Sequence, residues 1–81
     1  MSEDRWFYKT DDKNDIKAIY RLNVNNEKKK VTELVWLDNA WNVTDNLVQM
    51  ITNGEFYLDE VTRETVQHFT PYVDTNEYKE Q

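Results

Sequence analysis

The chain has 81 residues, of which 38% are hydrophobic, with one Gly, one Pro and no Cys. That is material for one compact domain, with a core contributing only about 3–5 kcal/mol and no disulfide or cysteine-metal staple to add to it. Ten Lys/Arg against 16 Asp/Glu give a net charge of −6, and the imbalance is uneven. Residues 1–30 hold eight bases and six acids (+2), whereas residues 31–81 hold two bases and ten acids (−8). Such a field repels phosphates and attracts basic partners, so no direct binding to duplex nucleic acid is expected.

The start, Met1-Ser2-Glu3-Asp4-Arg5, is acidic and leads into no apolar stretch of signal or membrane-span type. The expectation is a cytoplasmic chain without a membrane partner, in keeping with the missing cysteine. Asn42-Val43-Thr44 matches a glycosylation acceptor, and without a secretion route the match is accidental.

In chain order, the aromatic run Arg5-Trp6-Phe7-Tyr8-Lys9 predicts a strand, followed by a polar turn at 11–15. From Ile16 to Val24 the pattern alternates, with Ile16, Ala18, Tyr20, Leu22 and Val24 on one side. Lys30 to Leu37 alternates again, and Asn25-Asn26-Glu27-Lys28 between them predicts a four-residue hairpin loop pairing Leu22 with Val31 and Tyr20 with Glu33. The opposite side then carries Ile19, Leu34 and Trp36.

After Leu37 the spacing turns helical. A helix is expected over 43–53, capped by Asn42 or Thr44, with Asp45 in its first turn and Gly54 as the left-handed residue ending it. Residues 55–61 suit either a short strand or a connector. A second helix is expected to start at Thr62, with Glu64 in the first turn, Val61 stapled to Val66, and Pro71 as its stop. These elements make an α+β domain over residues 1–73: a three-stranded antiparallel sheet (residues 5–37) with two short helices packed on one face. Residues 74–81 are expected to form an acidic, frayed tail, with Tyr72 and Val73 docked.

Chemistry is thinly represented. His68, the only histidine, falls near the end of the second helix, where a cation suits the helix dipole, and the single serine sits at the frayed start. The 11–15 turn lacks the glycine and the bidentate acid of a calcium loop, and Gly54 alone cannot build a phosphate loop. The expectation is a non-enzymatic chain with no catalytic residues, no metal and no cofactor.

Eleven aromatics, three of them Trp, point instead to binding. Ile19, Leu34, Trp36 and Trp41 are the candidate partner-binding residues of a protein-binding or regulatory module. If the two helices cover only the side of Leu22 and Val35, the side of Ile19, Leu34 and Trp36 is left for a protein partner or for self-association as a homodimer. Trp36→Lys would then release the partner and leave the fold intact. The alternative is a nucleic-acid charge mimic that inhibits a basic DNA- or RNA-binding protein through Asp38, Asp45, Glu55, Asp59, Glu60 and Glu64.

Overall fold

A computed structural model describes residues 2–70, 72–75 and 77–79. The protein is α+β, with an antiparallel sheet of five strands, β1 Ser2–Thr10, β2 Ile16–Asn25, β3 Lys30–Leu37, β4 Ala40–Val43 and β5 Leu58–Val61, and two short helices, α1 Leu47–Asn53 and α2 Arg63–Gln67. The strand order is β4-β3-β2-β1-β5. Strands β1 to β4 form a meander, and the chain then crosses from one edge of the sheet to the other through α1 to add β5 beside β1.

Each turn in the meander is held by a device visible in its residues. Asp11 accepts the backbone N–H groups of Lys13 and Asp15 at 2.9 Å each, and these bonds, that from Asp15 foremost, hold its carboxyl below the usual carboxylate range. The β2–β3 loop has four residues, as expected, but lies one residue further along. Tyr20 therefore faces Val35 and Val24 faces Val31, a two-residue slip that leaves every side chain on its expected side. The β3–β4 turn is Asp38-Asn39, with φ of 53° and 60°, the I′ type that matches the twist of a tight hairpin.

Helix α1 starts four residues later than the expected 43–53 helix, because Val43 ends β4 and residues 44–46 are irregular. Asn42 and Thr44 do not cap α1, and Asp45 precedes it: the cap position is Asn46, which makes no side-chain cap bond, and the exposed Val48 N–H is taken by Glu33 Oε1 from β3 at 2.7 Å. The other end follows expectation, since Gly54 closes α1 in the left-handed conformation at φ 66°. Thr62 caps α2 through its side chain, which accepts the Thr65 N–H, with Glu64 in the first turn and His68 as the exposed C-cap. Pro71, the expected stop, lies outside the described residues.

Each side of the sheet carries its own core. Phe7, Tyr20, Leu22, Val35, Leu47 and Met50 fill the first, under α1. Tyr8, Ile19, Leu34, Trp41, Val66 and Val73 fill the second, under α2 and the segment that follows it. The expectation of three strands with both helices on one face is therefore corrected on both counts. Joining β5 to the free edge of β1 brings the chain round that edge, so α2 starts on the far side and covers the face expected to be open. The tail comprises the described residues 72–75 and 77–79: Val73 is buried, as expected of a docked residue, the Thr75 carbonyl accepts from Arg21, and Lys79 bridges to β4 in parallel. Residues 80 and 81 lie outside the described residues.

Candidate functional site

The second face is organised around polar donors aimed at the tail's backbone. Trp41, with none of its surface exposed, donates its indole N–H to the Tyr72 carbonyl at 2.7 Å. Trp6 Nε1 donates to the Val73 carbonyl at 3.0 Å, and Arg21 Nη1 to the Thr75 carbonyl at 2.6 Å. Arg21 is 2% exposed, and its charge is met by Asp4, 2.9 Å from Nε. Asp4 also accepts from Asn23, and the guanidinium lies 5.8 Å from the centre of the Trp41 ring. A buried charge with this set of partners is satisfied rather than stranded, and so three side chains from β1, β2 and β4 fix an otherwise irregular segment.

Further along, the Val43 N–H donates to the Lys79 carbonyl at 2.7 Å and the Lys79 N–H to the Trp41 carbonyl at 2.8 Å, which pairs the outer edge of β4. Between these anchors the tail stands off the sheet and leaves a cleft of about 400 Å³, walled by Trp36, Trp41, Tyr72 and Tyr78, with Glu77 and Lys79 also lining it. Trp36 meets Trp41 edge to face, with ring centres 5.2 Å apart. Asn42 stiffens the adjoining turn by donating to the Leu37 and Ala40 carbonyls.

The four expected partner-binding residues are brought together on one side of the sheet, but not as an open surface. Ile19, Leu34 and Trp41 are buried beneath α2 and the tail, and Trp36 alone is half-exposed, on the cleft. The uncovered face that motivated a homodimer is thus occupied by this chain's own segments. Tyr72, Glu77 and Tyr78 were outside the expected site. Two tyrosines in an otherwise polar segment were the one sign of them, and no periodicity accompanied it.

The six carboxylates of the charge-mimic reading are spread over the molecule. Asp38 and Asp45 flank β4, whereas Asp59 and Glu60 lie on β5 at the opposite edge of the sheet, Glu64 on α2 and Glu55 just before β5. Glu60 is held by Arg5 in a two-pronged pair at 2.7 and 2.8 Å, whose hydrogen bonds lower its pKa, and Glu55 pairs with Lys9 at 3.7 Å. Burial pushes the Tyr8 hydroxyl up, and it donates to the Thr65 carbonyl at 3.1 Å. Among the described residues no group of three or more His, Asp or Glu is placed to hold a metal ion, and no helix is long and apolar enough to cross a membrane. In comparisons with known proteins, no family model matches this chain, and neither a curated protein nor a solved structure matches it.

Proposed function

We propose that the chain is a small, acidic, non-enzymatic module that binds a protein partner at the aromatic cleft between β4 and the tail. The supporting observation is the cleft itself: Trp36 half-exposed and Tyr72 59% exposed stand beside a rigid floor formed by the fully buried Trp41. Trp and Tyr side chains on a preorganised floor lose few rotamers on contact, which is why they recur as interface anchors. The setting we propose is cytoplasmic, in keeping with a chain that has no cysteine. The charge-mimic reading draws less support, because its carboxylates sit at both edges of the sheet and two of them are already paired.

The test compares captures from the cell of origin by wild type, by Tyr72→Lys and by Asp45→Lys, quantified by mass spectrometry. Tyr72 contributes its backbone carbonyl to the fold and leaves its ring largely in water, so the substitution spares the core. A protein retained by wild type and by Asp45→Lys but lost from Tyr72→Lys supports the reading. Identical captures by all three overturn it.

A further inference from the structure

Resting on the reading of the cleft as a partner surface, we propose that it receives an arginine side chain from a basic segment of that partner. At about 400 Å³ the cleft lies near the lower end of the roughly 300–1,000 Å³ of small-ligand sites, so it suits one inserted group rather than a broad flat contact. Trp36, Tyr72 and Tyr78, each at least partly exposed, line it beside the buried Trp41. Aromatic faces are negative, and they attract a cation most when it is partly desolvated, as it would be here.

Charge favours the same occupant. The chain's net charge of −6 draws a cation at long range, and Glu77 is among the residues lining the cleft. A guanidinium fits better than an ammonium because it is flat, weakly hydrated and able to stack on a ring while still donating sideways. The molecule already uses this contact twice within itself, with Arg21 over Trp41 at 5.8 Å and Arg5 over Phe7 at 5.3 Å. Lys79 is the opposing element: its backbone is pinned to β4 and the residue lines the cleft, so its positive charge opposes an incoming cation. Removing that charge should therefore tighten binding.

The experiment titrates the full chain with a short glycine-arginine peptide and with the same peptide carrying citrulline, the neutral isostere, while following the Trp36 indole N–H by NMR. The expected result is a saturable shift with the arginine peptide and affinity lower by about tenfold or more with citrulline. Tyr78→Ala should weaken the arginine peptide about tenfold, and Lys79→Gln should strengthen it by about two- to fivefold. Glu64→Gln, on α2, should leave it unchanged. If Tyr78→Ala disturbs the tail, Glu77→Gln serves in its place and should cost about threefold or more with the fold intact.

Equal binding of the two peptides would overturn the arginine and leave an apolar docking cleft, so the parent reading would stand. A loss with Glu64→Gln as large as that with Tyr78→Ala would reveal diffuse charge attraction and overturn the site. So would the absence of a saturable shift at millimolar peptide.

Discussion

Gly54 ends α1 at φ 66° and ψ 46°, a conformation that costs most residues about 1–2 kcal/mol because the Cβ crowds the following carbonyl. A Cβ at this position would meet nothing within 4 Å, so the cost of a substitution is backbone strain alone. Gly54→Val is expected to lower unfolding free energy in urea by about 1 kcal/mol or more, since a β-branched residue tolerates this region least. The pair Arg5–Glu60 illustrates a weaker kind of residue effect. Its hydrogen bonds depress the Glu60 pKa in the folded state, so its contribution is present above the unfolded pKa and is lost as pH falls through the folded one. Both partners are about half exposed, at 46% and 48%, and solvent screening keeps the contribution below about 1 kcal/mol. An NMR titration should find the Glu60 carboxyl below the ordinary glutamate range, and Arg5→Gln should return it there while lowering stability at pH 7 only slightly.

Glu33 shows how one side chain settles the place of an element. It interrupts the apolar side of β3, between Val31 and Val35, and reads in sequence as a flaw in the alternation. In the fold it accepts the Val48 N–H at the open end of α1, doing what the local residues Asn42, Thr44 and Asn46 do not do. Glu33→Ala should cost about 1 kcal/mol by thermal or urea unfolding, with Glu33→Gln recovering part of it, because the amide oxygen remains an acceptor. The aromatic run of β1, the alternation of β2 and β3, the Gly54 end of α1 and the Thr62 cap of α2 were all legible, since each follows from residues within one turn or one strand. The short strands were less so: β5 falls within residues 55–61, which suited either a strand or a connector, and β4 was not expected. Ala40–Val43 and Leu58–Val61 have four residues each, too few to show a period, and β4 was further masked by Asn42, which resembles a helix cap. The candidate site was half legible for the same reason. Trp36 and Trp41 stood out by type, whereas Tyr72 and Tyr78 had no periodicity to place them, and the carbonyls 72, 73 and 75 that anchor the tail carry no side-chain signature.

At the scale of the whole molecule, the central feature is a thin sheet with a core on each side, one sealed by α1 and the other by α2 and the tail. A chain of this size has little apolar material to divide between two cores, and the second is completed by Val73 and by donors that satisfy the tail's backbone. The cleft, and with it the proposed function, exists only while the tail is docked. The most direct measurement is hydrogen exchange at the three tryptophan indole N–H groups, which are separately resolved in a nitrogen-15 spectrum. The account predicts slow exchange at Trp6 and Trp41, whose N–H groups are bonded to the Val73 and Tyr72 carbonyls, and fast exchange at the half-exposed Trp36. Exchange of all three at the rate of a free indole would contradict it.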